Sequence, residues 1–444
     1  MRINRVGVAS LLSPRAWLTP SSRPVVGSIG SSLYGQAVLI VTGVLAARAL
    51  GPTDRGYLAF ILLLESIVRQ VGSMGLPVAT TFFVARDRAQ AYGVVRTLRT
   101  PVLGQVALLT VAQAVLLWIF LSGDPQRVWL AGLVTLALVP LMLGQEYALA
   151  LLQGQGRFRA YNILRALPVS GYAVILVPLY LIGGASLVPI TIAYLVPFIV
   201  FTPLMLYVAL RGMRRDISTD GLPSRRRIFH FGLKSYLGGL SPVETFRLDQ
   251  SAIGLFLSPK ALGLYVVALS FTNLPRFIAL SVGAVAFPRA AHDLEVSGRR
   301  TMWRFALLIT ALTAVVVVPL ELLAGWLVPF FFGADFSGAV GVTRILLIGA
   351  FFFAIRRVLS DGAKGIGLPG LGSIAELGSW ISLVALLVVL MPPFGLEGVA
   401  AAIAISSAFS LAILVVALLR TSNPHDVRPD ARREAGATVR ASSP

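Results

Sequence analysis

The sequence lacks cysteine altogether, and it has few charged residues and only three histidines. Without cysteine the chain has no disulfide framework, no thiol nucleophile and no cysteine-type zinc site. The histidines, His230, His292 and His425, are scattered and do not have the spacing of a metal-binding motif. Asp, Glu, Lys and Arg make up 13% of the residues, roughly half of the usual fraction of about 25%. This composition excludes a disordered chain and a coiled coil.

Apolar residues are correspondingly abundant. They account for 56% of the 444 residues even before the 42 glycines are counted. A soluble protein of this length cannot bury so much apolar surface, whereas a membrane protein can expose it to lipid. Because a membrane span uses about 20 apolar residues, we predict an all-α, polytopic membrane protein with about 12 transmembrane helices.

The charge is strongly one-sided, with 38 basic residues against 19 acidic ones and a net charge of +19. In a soluble protein this excess would suggest binding to nucleic acid. In a polytopic membrane protein it follows from the enrichment of Lys and Arg in cytoplasmic loops. We therefore expect no nucleic-acid partner.

About twelve apolar stretches, each long enough to cross a bilayer, follow one another along the chain. They are 27–48, 57–84, 101–121, 128–150, 161–182, 187–210, 231–257, 262–288, 303–328, 337–360, 370–391 and 395–420. Basic and poorly charged connections alternate between them, and a cytoplasmic N-terminus places most basic residues inside. The pattern predicts an inner-membrane protein with both termini cytoplasmic.

Two halves of the chain resemble each other. The segments LGPTDRG at 50–56 and LSPKALG at 257–263 share Leu, Pro and Gly in register, and Gly154-Gln-Gly156 matches Gly365-Ile-Gly367 at a similar offset. An even number of spans in each half makes the repeats parallel. The predicted segments are a cytoplasmic N-terminal segment (1–26), an N-lobe of six spans (27–210), a cytoplasmic linker (211–230), a C-lobe of six spans (231–420) and a disordered cytoplasmic tail (421–444).

Several motifs resemble those of the polysaccharide transporter family, the Wzx-like oligosaccharide flippases of the multidrug/oligosaccharidyl-lipid/polysaccharide exporter (MOP) superfamily. The motifs are AARALGPTDRGY at 46–57, GSMGLP at 72–77, LQGQGRFRAYN at 152–162, RLDQ at 247–250 and LSPKALGLY at 257–265. The resemblance implies two lobes around a central cavity and transport by alternating access. It implies as cargo an oligosaccharide on an undecaprenyl diphosphate carrier, moved from the inner to the outer leaflet.

Charged residues inside the apolar stretches are the candidate functional groups, because such residues are costly in a bilayer and usually face a cavity or a partner. Glu65 and Arg69 lie one helical turn apart and can neutralise each other. Glu244 and Arg247 can pair in the same way. Two interpretations stay open for these residues. Arg69 and Arg247 could contact the cargo while Glu65 and Glu244 serve a coupling ion, or the residues could form structural ion pairs.

Arg276 has no acidic residue within one turn of helix on either side, and we predict that it contacts the substrate together with Arg69 and Arg247. A guanidinium stays charged and binds phosphate oxygens in pairs, which suits a lipid diphosphate. Asp249 has two open interpretations, a site for a coupling ion or proton and an ion pair with Arg247.

The repeated external segments are predicted to form a gate, with Pro52 and Gly56 in one and Pro259 and Gly263 in the other. Each segment follows the first span of its lobe, so the two would meet near the pseudo-twofold axis. Proline would stiffen each segment, and glycine would permit the turn into the next helix.

The predicted function is non-enzymatic export of lipid-linked oligosaccharide, with no cofactor and no metal. The segment GIGLPG at 365–370 matches a dinucleotide-binding pattern, but no strand precedes it. Expected partners are the lipid-linked oligosaccharide, membrane lipids, and the glycosyltransferases and polymerase of polysaccharide assembly. Two alternatives stay open: a cation-coupled multidrug exporter of the same superfamily, and a membrane glycan polymerase or ligase.

Overall fold

The computed structural model describes residues 23–213, 223–237, 247–292 and 296–421, and these residues form helices and no strand. Residues 1–22, 214–222, 238–246 with the predicted site residue Glu244, 293–295 and 422–444 lie outside the described part. The α-helices are α1 (Arg23–Gly72), α2 (Leu76–Arg86), α3 (Ala91–Leu121), α4 (Gln126–Thr135), α5 (Leu138–Gly154), α6 (Phe158–Leu181), α7 (Leu187–Leu210), α8 (Arg225–Leu237), α9 (Leu248–Phe256), α10 (Pro259–His292), α11 (Val296–Phe332), α12 (Ala339–Gly365) and α13 (Pro369–Arg420). Single 3₁₀ turns occupy Arg88–Gln90 and Ala334–Phe336.

The helices confirm an all-α polytopic membrane protein of about 12 spans. Among the described residues, nine helical segments are long and apolar enough to cross a membrane. Two of these segments are broken, α1 at Gly51 with φ 65° and α13 at Gly395 with φ 54°. The left-handed backbone at each glycine ends one helix and starts the next, so each long segment contains two predicted spans. The predicted span at 231–257 falls on α8, α9 and the undescribed residues between them.

Outward-facing side chains in these helices are apolar, as a lipid environment requires. In α11, Leu307, Val315 and Leu322 are 71%, 71% and 75% exposed and recur along one helix face. In water such a stripe would be costly to expose, whereas lipid tails are as apolar as the side chains themselves.

The chain divides into two compact units, Met1–Val267 with Pro329–Phe336, and Ala268–Val328 with Ser337–Pro444. In the first unit α1 packs along α6, where the Ser31 hydroxyl donates to the Asn162 carbonyl at 2.9 Å. In the second unit α12 packs along α13. The lack of a side chain at Gly349 brings the α12 backbone close to Ala404 of α13. The unit boundary at Val267 is not the predicted lobe boundary at 211–230, and the division into two six-span lobes stays a prediction.

Candidate functional site

Arg69 of α1 lies between two carboxylates in the interior of the first unit. Its Nε donates to Glu65 Oε1 at 2.9 Å, one turn earlier in the same helix. Its Nη1 donates to Glu146 Oε1, which α5 brings to the other side of the guanidinium. The Glu65 side chain is 3% exposed and that of Arg69 is 17% exposed, so a lone charge here would be costly and each group needs the others.

A cavity of about 260 Å³ opens beside this triad. Arg69 and Glu146 form part of its wall, and the aromatic rings of Tyr172 and Tyr194 form another part, with the two ring centroids 5.3 Å apart. Gln145 also lines the cavity, and its buried Oε1 accepts no hydrogen bond from any described residue. The cavity therefore combines ionic groups, a free amide acceptor and aromatic faces, a lining typical of a polar ligand site.

The structure places Arg247 near the same triad. Its guanidinium interacts electrostatically with Glu65 and with Tyr194, and the residue itself is exposed with a left-handed backbone at φ 44°. Asp249, two residues later, is 1% exposed and accepts a hydrogen bond of 2.6 Å from the Tyr265 hydroxyl. The predicted candidates Glu65, Arg69 and Arg247 thus come together, whereas Asp249 is bound to a tyrosine of α10.

Arg276 of α10 belongs to the second unit. Its guanidinium lies over the Phe353 ring at 5.1 Å from the centroid, a favourable cation–π geometry. Its Nε is buried and has no hydrogen-bond partner among the described residues. Arg356 approaches the same ring at 5.3 Å, but it also forms an ion pair with Glu376 of α13. Of these two cations, Arg276 is the one that no carboxylate of the described residues neutralises.

The repeated segments of the predicted gate lie in direct contact within the first unit. A Cβ atom at Gly56 would lie 1.7 Å from the Pro259 carbonyl oxygen, and one at Gly263 would lie 1.9 Å from the Pro52 carbonyl oxygen. Only two residues without side chains can cross this closely. The prediction that Gly56 and Gly263 permit turns is wrong, because they lie inside α1 and α10. The left-handed backbone near the first segment falls at Gly51 instead. Pro52 and Pro259 stand in the first turn of their helices, where proline needs no hydrogen-bond partner.

Two interior charges were missed from the sequence. Glu146 lies in the predicted span 128–150, and the polar pair Gln145-Glu146 in that otherwise apolar stretch was the available signal. Arg55 belongs to the segment 50–56, which the sequence predicts to be external. It lies within α1, its Nε is buried without a hydrogen-bond partner among the described residues, and it interacts electrostatically with Tyr172. No group of three or more potential metal ligands occurs in the described residues.

Comparison with known proteins supplies the family. The family described as "Polysaccharide biosynthesis protein" matches residues 25–293, more than half of the chain. A succinoglycan biosynthesis transport protein, ExoT, of Rhizobium meliloti is 24% identical over 82% of this chain and 78% of its own length. An uncharacterized membrane protein of Methanocaldococcus jannaschii is 23% identical over 54% of this chain, and the match spans 48% of that relative.

Two solved structures share the fold. The lipid II flippase MurJ, in an inward closed conformation, has a TM-score of 0.69 and 15% identity, with 89% of this chain and 87% of MurJ covered. An inward-facing multidrug resistance MATE family transporter of the MOP superfamily has a TM-score of 0.67 and 19% identity, with 87% and 96% covered. The sequence resemblance is confirmed: the chain belongs to the polysaccharide biosynthesis protein family, and it shares the fold of these two solved structures.

Proposed function

We propose that this protein is a flippase that moves a lipid-linked oligosaccharide, carried on undecaprenyl diphosphate, across the bacterial inner membrane for surface polysaccharide synthesis. The function is transport rather than catalysis. The proposed topology has both termini in the cytoplasm, and the glycosyltransferases and polymerase of polysaccharide assembly are the proposed neighbours in the pathway. The family description and the transport protein among the relatives support this assignment.

The observation that carries the proposal is the presence of arginines that the fold leaves available for an anion. Arg276 has a buried Nε without a hydrogen-bond partner among the described residues, and Arg247 is exposed beside the cavity triad. A lipid diphosphate carries about two negative charges, which a guanidinium can bind through two parallel hydrogen bonds. The free Gln145 acceptor and the rings of Tyr172 and Tyr194 suit the hydroxyls and apolar faces of sugars.

Arg69 has a different role from Arg247 and Arg276 in the proposed transport site. Two carboxylates already neutralise it, so its attraction for a further anion is weaker than that of Arg247 or Arg276. We assign to Arg69 the orientation of Glu65 and Glu146 at the cavity wall, with a secondary contact to the headgroup. Asp249 keeps its proposed role at a site for a coupling ion or proton, and its hydrogen bond from Tyr265 holds the carboxylate in place.

A second candidate function is cation-coupled drug export. The carboxylates Glu65 and Glu146 at the cavity and the fold shared with a multidrug transporter favour it. The two functions differ in the charge of the cargo, which is anionic for a lipid diphosphate and cationic for a drug. A drug cation would be repelled by Arg247 and attracted by the two glutamates.

The test is a binding comparison on the purified full-length protein in detergent. Undecaprenyl diphosphate-linked saccharide should bind, and Arg276→Ala should weaken its binding by about 10-fold to 150-fold, the equivalent of about 1.5–3 kcal/mol for a hydrogen bond to a charged group. The affinity of Arg276→Lys should lie between those of the wild type and Arg276→Ala, because the charge persists and the paired hydrogen-bond geometry is lost. The matched control is Arg300→Ala, which removes an exposed arginine of α11. Tight binding of a cationic dye, with none of the lipid diphosphate, would favour the drug exporter.

A further inference from the structure

A second, separate pocket of about 400 Å³ lies where three connections of the first unit meet. Its wall includes Arg88 from the 3₁₀ turn before α3, Arg157 from the junction of α5 and α6, and Arg211 from the end of α7. All three arginines belong to segments that the charge pattern predicts to be cytoplasmic. None of them lines the cavity beside Arg69.

The motif Gly154-Gln-Gly156-Arg157, which the transport site does not use, builds one wall of this pocket. The Gln155 Nε2 donates to the Ala209 carbonyl at 2.9 Å, and the Arg157 Nη1 donates to the Val208 carbonyl at 2.6 Å. These bonds satisfy carbonyl groups at the C-terminal end of α7, which have no partner within the helix. They also fix the end of α7 against the start of α6.

Gly156 brings the third segment into place. A Cβ atom at this position would lie 2.6 Å from the Arg88 Nη2, so any side chain here would displace the Arg88 guanidinium. The backbone of Gly156 has φ 72°, a conformation that favours glycine. The backbone at position 156 therefore favours glycine, and the absence of a side chain there lets Arg88 approach the segment that carries Arg157.

The charges of the pocket are unbalanced. Three guanidiniums line it, and no carboxylate among the described residues does. Arg88 and Arg211 form no ion pair within the described part of the chain, and Arg211 packs only over the Tyr207 ring at 5.9 Å. The N-terminus of α3 opens at the same place, and its N-cap residue Gln90 makes no side-chain capping bond. Its positive helix end adds to the field of the arginines.

We propose that this arginine pocket binds a phosphate-bearing anion, with the headgroup of an anionic membrane lipid or a soluble diphosphate as the two sources of that chemistry. Three convergent guanidiniums repel one another unless an anion lies between them, and guanidinium is the side chain best suited to phosphate. Basic pockets between helices at the cytoplasmic face are where anionic lipid headgroups bind. The site is independent of the proposed transport function, because it shares no residue with it.

The experiment measures ligand binding to the purified full-length protein by native mass spectrometry and by thermal unfolding. Phosphatidylglycerol and cardiolipin test the membrane source, phosphatidylcholine is the neutral lipid control, and inorganic pyrophosphate tests the soluble source. Arg88→Gln and Arg211→Gln each remove one charge without removing a hydrogen bond of the described structure. Arg99→Gln is the matched control, since it removes an exposed arginine of α3 that lies outside the pocket.

We expect each pocket variant to weaken binding of the anion about tenfold and the control to leave it unchanged. Arg211→Lys should retain most of the binding because the charge stays. If the anionic lipid binds and pyrophosphate does not displace it, the lipid headgroup is the ligand. If pyrophosphate displaces the lipid, or if only pyrophosphate binds, the soluble anion is the ligand. If neither anion binds, or if the pocket variants bind both as tightly as the wild type, the proposal is overturned. As a folding control, the melting temperature of each variant in phosphatidylcholine should equal that of the wild type.

Discussion

At the scale of single residues, local pairing was predictable and tertiary pairing was not. Glu65 and Arg69 are four positions apart, and their spacing alone indicates an ion pair. Glu146 contacts Arg69 from 77 residues further along the chain, and only the packing of α5 against α1 creates that contact. Arg55 lies in the segment 50–56, which the sequence predicts to be external, and the structure shows that α1 resumes after Gly51 and that the Arg55 Nε is buried. Spacing therefore predicts contacts within a helix, whereas contacts between helices depend on the packed fold.

The first prediction concerns the triad of Arg69, Glu65 and Glu146. Arg69→Ala should destabilise the protein by about 3–5 kcal/mol, because it leaves two carboxylates without their cation, one of them buried. The neutral triple variant Glu65→Gln/Arg69→Gln/Glu146→Gln should regain most of that stability, since no uncompensated charge remains. Thermal unfolding of the purified variants measures both effects, and Arg96→Ala, which removes an exposed arginine, is the control.

Transport by the same variants separates a structural role from a functional one. We expect the triple variant to fold but to export poorly, because the charges at the cavity wall are gone. A triple variant with normal stability and normal export would contradict the assignment of this triad to the transport path.

At the scale of helices, glycine and proline have different roles from those that the sequence suggested. The segments 50–56 and 257–263, which share Leu, Pro and Gly in register, touch each other in the structure. Whether a glycine serves a turn or a close helix crossing depends on the partner helix, which the sequence does not show. Likewise, residues 27–84 read as two spans, but the structure has α1, with its break at Gly51, followed by the short α2.

The second prediction tests this glycine crossing. Gly56→Ala and Gly263→Ala should each force α1 and α10 apart, because the added methyl would overlap a backbone carbonyl oxygen that cannot move aside alone. A disulfide between cysteines placed at the exposed Thr53 and Lys260 reports the approach of the two segments, and its yield should fall in either alanine variant. Gly104→Ala is the matched control, because nothing lies within 4 Å of a Cβ at that position.

The gate itself is tested by the same cysteine pair in the otherwise native chain. If the crossing closes the external path, oxidation should block export and reduction should restore it. A complete cross-link with undiminished export would mean that the segments around Gly56 and Gly263 do not gate transport.

At the scale of the whole molecule, composition predicted most of what the structure contains. The span count and the all-helical class follow from apolar length, because backbone groups in lipid must be satisfied within the helix. The ligand-binding surfaces were less predictable. The arginine pocket of Arg88, Arg157 and Arg211 brings together three connections that are distant in sequence, and charge pattern alone had assigned them only to a side of the membrane.

The third prediction is the orientation in the membrane. Since the chain has no native cysteine, single cysteines at Gln126 and Lys260 should react with an impermeant maleimide in intact cells. Cysteines at Ser224 and Gly370 should react only after the membrane is opened. All four positions are exposed, so differences in labelling report the side of the membrane. Labelling of Ser224→Cys in intact cells would reverse the orientation and the direction of export.

Transport of a lipid-linked oligosaccharide can be measured as translocation across the membrane of liposomes. The purified protein is reconstituted with a fluorescent undecaprenyl diphosphate-linked oligosaccharide, and an impermeant glycosidase measures how fast the sugar changes leaflet. We expect translocation far faster than in protein-free liposomes, reduced by Arg276→Ala and unchanged by Arg300→Ala. Translocation no faster than in protein-free liposomes, while the same vesicles transport a cationic dye, would contradict the proposed function.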